Sequence, residues 1–416
     1  MTVIERDVVD GDVTRRGVPQ GHHPHGVLMR GKEVIDTLFP GFYEDLVAHG
    51  AAQARLLSDV QLAILGHQLY RSPIGYEAVF ATRPFLEAHL RQCLLRTPGI
   101  TLHTGYAVES VIADGHAVCG VRCAERGNGG REVELEADLV VDALGKGGRG
   151  RVWLDALGFP RPPEQRLDVG VRYISRRYLL PPAASAQLGM MLLMDLPSPR
   201  RRHGVFAMAQ ERGTWTISLV GFDAGSAPAI SEADFDRGVR DVAPHVHDLI
   251  RDLQPLGPSA SYRFPAGHRR QYERLRRHPA NLISTGDSLC CLNPLYGTGI
   301  TTAAELAAAL GACLQEGRGE ELPGRFYRRA ARVVRASWLV SRTADHVLNP
   351  PANFSPSSAL AGRLLQQLAR GASDDPLLAA ALFNFWGMAE PPQALLHPRV
   401  LARLAWRQLR ARGAYW

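Results

Sequence analysis

A run of glycines, one carboxylate and a proline between positions 281 and 310 carries the residue types best suited to holding a flat or charged ligand. In chain order, its candidate contact residues are Gly286, Asp287, Pro294, Gly297, Thr298, Gly299 and Ile300. Glycine lets the main chain approach a ligand closely, and the first turn of a following helix offers free N–H groups to it. The pattern predicts a buried strand, a turn carrying Asp287, a loop, and an alanine-rich helix that together surround a ligand.

This run resembles the second flavin-binding motif of the FAD-dependent class A monooxygenases, the para-hydroxybenzoate hydroxylase superfamily. The resemblance implies that Asp287 holds the ribityl chain of FAD. It also implies that the N-terminus of the helix after Gly297 faces the pyrimidine edge of the isoalloxazine. An ordinary connection between a strand and a helix, with no ligand, is the alternative interpretation.

The resemblance extends over nearly the whole chain and implies a doubly wound, Rossmann-like α/β FAD-binding domain. An antiparallel β-sheet substrate domain is inserted into it, and helices follow at the C-terminus. The implied segments are 1–167 and 265–345 for the FAD-binding domain, 168–264 for the substrate domain and 346–416 for the C-terminal helices.

Alternating or apolar segments between turn residues predict the strands of the inserted sheet. These segments are Val169–Ile174, Gly189–Met194, Gly204–Ala209 and Trp215–Gly221. Its large apolar residues are candidates for a pocket wall, with simple core packing as the alternative. They are Met190, Met191, Met194, Phe206, Met208 and Trp215.

The first residues form a short apolar segment that ends in a carboxylate, Glu5. In a dinucleotide-binding unit the carboxylate that ends the second strand binds ribose hydroxyls, so Glu5 and the adjacent Arg6 are candidate FAD contacts. The glycine-rich fingerprint of such a unit lies roughly 20 residues before this carboxylate, and only four residues precede Glu5. We expect the sequence record to begin inside the gene. A natural short form that binds FAD poorly or not at all is the alternative.

A polar loop rich in arginine, glycine and histidine comes next, with Arg15, Arg16, His22, His23 and His25. It resembles a segment of a bacterial branch of the superfamily, in which the loop runs beside the flavin and its arginine approaches FAD. Arg15 or Arg16 takes that role by resemblance, and His25 is the candidate for acid–base chemistry. A surface loop is the alternative. Because the histidine spacing fits no standard site, no metal is predicted.

Three further segments resemble parts of the cofactor site. Thr82 precedes an amphipathic helix as its predicted cap, and Arg83 matches an arginine that lies near the FAD pyrophosphate in the superfamily. Val108 follows a turn whose backbone touches adenine in the superfamily. The apolar strand that ends at Asp142 resembles the middle Asp-Gly fingerprint, but the aspartate of that fingerprint falls on Leu144. That departure separates the chain from typical aromatic hydroxylases.

Composition restricts the class of protein. The net charge is +7 and the pI about 9.3, but the basic residues are spread along the chain. A nucleic-acid surface clusters such residues among aromatics, so no nucleic-acid partner is expected. The chain has no run of eighteen apolar residues and no leader pattern, which predicts a cytoplasmic protein with no transmembrane segment. A basic C-terminal helix allows peripheral membrane contact, but packing on the protein itself is favoured.

The resemblance also implies the chemistry. NAD(P)H, bound transiently, reduces FAD, and O2 then supplies an oxygen atom to an apolar or aromatic small molecule. Two alternatives stay open: a reductase of isoprenoid double bonds, which consumes no O2, and a flavin-free remnant that acts by binding. A flavin halogenase is disfavoured because the chain lacks a Trp-x-Trp motif and has only Lys32 and Lys146 as lysines.

Overall fold

The computed structural model of the chain describes residues 1–9, 11, 15, 17–72, 75–126, 130–223, 230–348 and 356–413, with backbone alone for 356–358, 408 and 410–413. Arg16, a candidate FAD contact, lies outside the described residues.

Within the described residues the strands are, in chain order, β1 (Thr2–Glu5), β2 (Ala52–Arg55), β3 (Val60–Ile64), β4 (His67–Gln68), β5 (Glu77–Phe80), β6 (Thr101–Thr104), β7 (Tyr106–Asp114), β8 (Ala117–Glu125), β9 (Glu132–Glu136), β10 (Val140–Asp142), β11 (Glu164–Leu179), β12 (Leu192–Asp195), β13 (His203–Ala209), β14 (Thr214–Phe222), β15 (Ala260–Arg270), β16 (Leu282–Ser284) and β17 (Cys290–Cys291).

The α-helices in the same residues are α1 (Met29–Leu38), α2 (Phe42–Ala48), α3 (Arg83–Arg96), α4 (Gly150–Ala156), α5 (Pro182–Leu188), α6 (Phe235–Val242), α7 (Pro244–Ile250), α8 (Thr298–Glu316), α9 (Leu322–Leu348), α10 (Pro356–Gly371), α11 (Pro376–Trp386) and α12 (Pro398–Gly413).

Parallel strands and an antiparallel meander form the first part of the fold. Strand β1 pairs in parallel with β6, and β10 pairs in parallel with β16. Strands β7, β8 and β9 form a three-stranded antiparallel meander. This combination confirms the predicted α/β class.

The second part of the fold is an eight-stranded sheet in the order β17-β15-β11-β14-β13-β12-β3-β4. All its pairs are antiparallel except β12 with β3. The predicted antiparallel strands are present, and strands from residues 60–68 and 290–291 extend the same sheet. The sheet therefore reaches directly to the loop after Asp287, which joins it to the proposed ligand site.

The two faces of this sheet bury different sets of residues because side chains alternate along a strand. On one face Trp215, Ile217 and Leu219 pack with Met190 and the helices α6 and α7. On the other face Phe206 and Met208 pack with Tyr296 and the C-terminal helices. The apolar residues considered for a single pocket wall are therefore divided between two faces, and Trp215 and Met190 lie on the face covered by α6 and α7.

The C-terminal helix α12 packs on the protein through Val400 and Leu404, which are buried against α10 and α11, and its arginines add ion pairs. Arg403 lies 3.6 Å from Asp375, and Arg407 donates a 2.7 Å hydrogen bond to Asp374. Asp375 in turn caps the N-terminus of α11 by accepting from the backbone N–H of Leu377. Within the described part of the chain, every helix falls short of the length and apolar character that crossing a bilayer requires.

Candidate cofactor and substrate site

Four charged side chains from three separate segments meet in one network. Arg15 donates to Glu5 at 2.5 Å and to Glu87 at 2.7 Å, and Arg83 donates to the other oxygen of Glu87 at 2.7 Å. The structure thus brings three predicted contact residues, Glu5, Arg15 and Arg83, together. Glu87, which joins them, was missed by sequence reasoning, although its i,i+4 spacing from Arg83 on a helix was a usable signal.

Each member of this network is half-buried, and the charges compensate one another. Burial alone would raise the pKa of Glu87, but Arg83 and Arg15 outweigh burial and hold that pKa below its usual value. The predicted contact Arg6 lies outside the network: its side chain is 54% exposed and lies 3.7 Å from Asp7. Val108 and Ile4, which precedes Glu5 in β1, pack against the same apolar cluster.

Two sets of hydrogen bonds at Thr82 fix the N-terminus of helix α3 and so position Arg83 in its first turn. Thr82 accepts a hydrogen bond from the N–H of Phe85 at 3.3 Å, which confirms the predicted cap. The N–H and hydroxyl of Thr82 both donate to Glu211, each at 2.7 Å. Since Glu211 lies in the turn between β13 and β14, the large sheet sets the position of α3.

Asp287 stands in a turn between β16 and β17, as the sequence predicts. Burial raises the pKa of Asp287, and the charges of Arg83 and Lys146 oppose that rise, together with the thiol of Cys291. Asp287 stays partly accessible to solvent although protein surrounds it. The charge of Arg83 acts on Asp287, which places the two side chains near each other.

The departure at Leu144 leaves the middle loop intact because Asp142 organises it instead. The carboxylate of Asp142 is buried and accepts from the N–H groups of Leu144 at 3.1 Å and Gly150 at 2.9 Å. It also accepts from the hydroxyls of Ser284 at 3.2 Å and Ser288 at 3.0 Å. Asp142 therefore ties the loop of 143–150 to the turn that carries Asp287.

Backbone without side chains faces open space at four places around this turn. A Cβ atom added at Gly145, Gly147, Gly286 or Gly299 would meet no atom of the described residues within 4 Å. Gly297 has a φ of 69°, which turns the chain into α8, and that helix has no side-chain cap on its N–H groups. The hydroxyls of Thr298 and Thr301 are buried without a partner among the described residues.

These features fit a flavin. A planar ring system needs bare backbone on one side and hydrogen-bond donors at its edge, and the loop with α8 supplies both. Pro294 starts the short 3-10 turn that leads into Gly297. The side chain of Ile300 points away from the open glycines into the core shared with α1, α2 and α3. Any contact that Ile300 makes with a cofactor is therefore made by its backbone.

His25 lies beside the charged network and is neutral at pH 7. Its Nδ1 donates to the carbonyl of His23 at 2.9 Å. Burial, and then the nearby charge of Arg83, lower the pKa of His25 to about 4.

His23, which sequence reasoning did not single out as a site residue, has a buried ring nitrogen available for a ligand. Its Nδ1 is 2.6 Å from the hydroxyl of Ser175, which in turn is hydrogen-bonded to Ser218. Its ring contacts Tyr173 and Tyr262 at centroid distances of 5.7 and 5.8 Å. Its Nε2 is buried without a partner among the described residues. Burial lowers the pKa of His23 to about 3.

A buried carboxyl group on α9, Asp345, is hydrogen-bonded to the loop between Asp287 and Gly297. Asp345 accepts from the amide of Asn293 at 2.7 Å and from the hydroxyl of Tyr296 at 2.6 Å. Its other oxygen, like the hydroxyl of Tyr173, is buried without a partner among the described residues. Burial raises the pKa of Asp345 to about 7, in spite of these two hydrogen bonds. A sequence signal for this buried group was available: polar residues recur at intervals of four on one face of α9, at Ser337, Ser341 and Asp345.

Comparison with known proteins identifies one clear relative. No family model matches the chain. Protein Rv3254 of Mycobacterium tuberculosis (strain ATCC 25618 / H37Rv) is 30% identical over 401 residues, which cover 91% of this chain and 82% of that protein.

Solved structures share the fold at low sequence identity. A triple mutant of the flavin-dependent brominase Bmp2 matches with a TM-score of 0.62 and 17% identity, covering 92% of this chain and 91% of that chain. A flavoprotein/dehydrogenase from Cytophaga hutchinsonii matches with a TM-score of 0.66 and 12% identity, covering 99% and 93%. The p-nitrophenol 4-monooxygenase PnpA from Pseudomonas putida DLL-E4 matches with a TM-score of 0.62 and 14% identity, covering 93% and 91%.

Proposed function

Because this chain belongs to the family of Protein Rv3254 and has the fold of the class A flavoprotein monooxygenase superfamily, we propose that it is a FAD-dependent oxidoreductase. It uses NAD(P)H and O2 to oxygenate an apolar or aromatic small molecule. One observation carries the proposal: the open glycines and the N-terminus of α8, which has no side-chain cap, lie around the turn that carries Asp287, and the charge of Arg83 acts on that carboxylate.

In this proposal the cofactor lies along the line of predicted contacts. Glu5 and Arg15 face the adenosine end, Arg83 the pyrophosphate, and Asp287 the ribityl chain. The N–H groups at the start of α8 face the edge of the isoalloxazine, where they favour negative charge. When bound, the flavin supplies hydride acceptance from NAD(P)H and activation of O2.

The substrate then lies between the flavin and the large sheet. Nδ1 of His23 is hydrogen-bonded to the hydroxyl of Ser175, and its buried Nε2 is the atom that exchanges a hydrogen bond with a polar group of the substrate. The hydroxyl of Tyr173 is a second free group in the same neighbourhood. Protein atoms bury both groups, and such burial excludes water and strengthens each hydrogen bond.

The first test is flavin content, measured by visible absorbance on the purified chain and on a form extended upstream through the in-frame coding sequence. We expect bound FAD, NAD(P)H oxidation, and O2 consumption that increases with a panel of aromatic and polycyclic compounds. Absence of flavin from both forms would overturn the proposal. Flavin with NAD(P)H oxidation but no O2 consumption would leave a reductase of carbon–carbon double bonds instead.

A matched pair of glycine substitutions on α8 tests the position of the flavin. Both Gly299 and Gly311 lie in this helix, and an added Cβ meets no atom of the described residues within 4 Å at either. We expect Gly299→Ala to weaken FAD binding about tenfold or more, by overpacking against the ring. Gly311→Ala should leave FAD affinity unchanged, and both variants should keep the stability of the parent. Equal FAD affinity in the two variants would place the ring elsewhere.

A further inference from the structure

A cluster of two histidines and one aspartate lies on α2 and α3, outside the proposed flavin site. One ligand atom from each of Asp45, His49 and His89 lies within 4.8 Å of the others. Nε2 of His89 is 3.9 Å from Oδ2 of Asp45, and Nδ1 of His49 is 3.4 Å from Oδ1 of the same carboxylate. The residue set is the combination of imidazole and carboxylate ligands that Zn²⁺ and similar divalent ions take.

The ring of His89 is oriented as that of a metal-binding histidine is. Nδ1 of His89 is 3.0 Å from the carbonyl of Phe85, and Nδ1 of His49 is 2.8 Å from the carbonyl of Asp45. A carbonyl oxygen can only accept, so Nδ1 of His89 carries the proton, and its Nε2, the atom nearest Asp45, keeps a lone pair. Backbone carbonyls fix the tautomer of metal-binding histidines in the same manner. The exposed ring of His49 binds an ion after it turns away from the carbonyl of Asp45.

The exposure of the three side chains suits an open site. His89 is 9% exposed, Asp45 38% and His49 60%. The buried ring anchors the site, and the two exposed side chains can contract onto an ion. Bonds of about 2.1 Å in a tetrahedron put two ligand atoms roughly 3.4 Å apart, so the 3.9 Å gap between His89 and Asp45 closes with a small side-chain movement.

We propose that Asp45, His49 and His89 bind one divalent transition-metal ion, with water in the remaining position. The ion links α2 to α3, the helix whose first turn carries Arg83 and Glu87. Its role is structural: it holds α3 against α2 in addition to the clamp that Glu211 makes on Thr82. The site is independent of flavin binding, since none of its three ligands belongs to the charged network around Glu87.

Titration of tag-free, chelator-treated protein with Co²⁺ tests the site directly. We expect one equivalent to give the visible absorption bands of a four- or five-coordinate ion, and Zn²⁺ to displace it and raise Tm. His49→Ala and His89→Ala should each weaken Zn²⁺ binding about tenfold or more, as loss of a ligand does. Asp45→Asn should weaken it in the same direction.

His245→Ala is the matched control because His245 is an exposed histidine on α7, and it should keep both the Co²⁺ bands and the Zn²⁺ affinity. His49→Ala removes an exposed side chain, so it tests the site even where the loss of buried His89 impairs folding. Absence of Co²⁺ bands from the parent would overturn the proposal. Bands that persist in His49→Ala, or that His245→Ala reduces equally, would overturn it as well.

Discussion

Two polar regions lie beside the proposed cofactor, and they differ in whether their polar groups are paired. Around Glu87, charged side chains from distant segments are half-buried and paired with one another. Around Asp345, polar groups are fully buried, and several atoms have no partner among the described residues. A region that compensates its own charge can hold an anionic cofactor rigidly. A region with unused hydrogen-bonding capacity in a dry environment is adapted to receive a small ligand with its own polar groups.

The largest expected effect concerns the pH dependence of stability at Asp345. Its folded pKa of about 7 lies above the ordinary value of 3.8, so the folded state prefers the protonated carboxyl. Its contribution to stability is therefore complete below pH 4 and is lost as pH rises to 7. The loss is about 1.4 kcal/mol per pH unit at most, and on the order of 4 kcal/mol in total.

Asp345→Asn stays neutral and keeps the acceptor for Asn293 and Tyr296, so it should lack this dependence. Urea unfolding of both proteins from pH 4.5 to 7.5 measures it. His23 and His25, with lowered pKa values, change stability with the opposite sign, so the difference between parent and variant is the quantity of interest. Parallel curves for the two proteins would contradict the assignment.

The second largest expected effect comes from removing the carboxylate that pairs with both arginines. Glu87→Ala leaves Arg15 and Arg83 facing each other without their shared carboxylate, and we expect a loss of about 3 kcal/mol in the free energy of unfolding. Glu134→Ala is the control, since its pair with Arg122 is exposed, at 58% and 45%. An exposed pair contributes at most about 1 kcal/mol. Similar losses for the two variants would mean that the Glu87 network is no more than a surface feature.

The smallest effect compares two buried tyrosines. Tyr296→Phe removes a hydroxyl that donates to Asp345 and should lower the free energy of unfolding by about 1.5 kcal/mol. Tyr173→Phe removes a buried hydroxyl without a partner among the described residues, so stability should be unchanged or slightly higher. Chemical denaturation of both variants measures the contrast. A destabilised Tyr173→Phe variant would indicate that this hydroxyl has a partner within the fold and is not free for a ligand.

Local signals in the sequence identified most of the framework. The cap at Thr82 and the start of α8 at Thr298 lie where residue types predict them, because capping and glycine conformation act over a few residues. Strands β11, β12, β13 and β14 of the large sheet follow from the pattern of short apolar or alternating segments, whereas β3, β4, β15 and β17 were not predicted as its members.

The composition of the site depended on contacts between distant residues, which such signals do not encode. Glu5 and Glu87 meet through Arg15 only after β1 and α3 have been placed, and Asp345 meets Tyr296 across 49 residues. The cofactor roles of the predicted residues stay predictions. The unpartnered atoms of His23 and Tyr173 become apparent only when the packing around them is known, because burial is a property of the whole fold.

The order of strands in the large sheet has a consequence for how the protein is made. Strand β3 leaves the ribosome early, its parallel partner β12 begins at Leu192, and β17 closes the other edge at Cys290–Cys291. At 5 to 20 residues per second, roughly 7 to 26 seconds separate synthesis of β3 from synthesis of β12. During that interval the apolar strand β3 has no neighbour on one side. A chaperone that shields this segment during translation should therefore raise the yield of folded protein, and the measurement is the folded fraction with and without it.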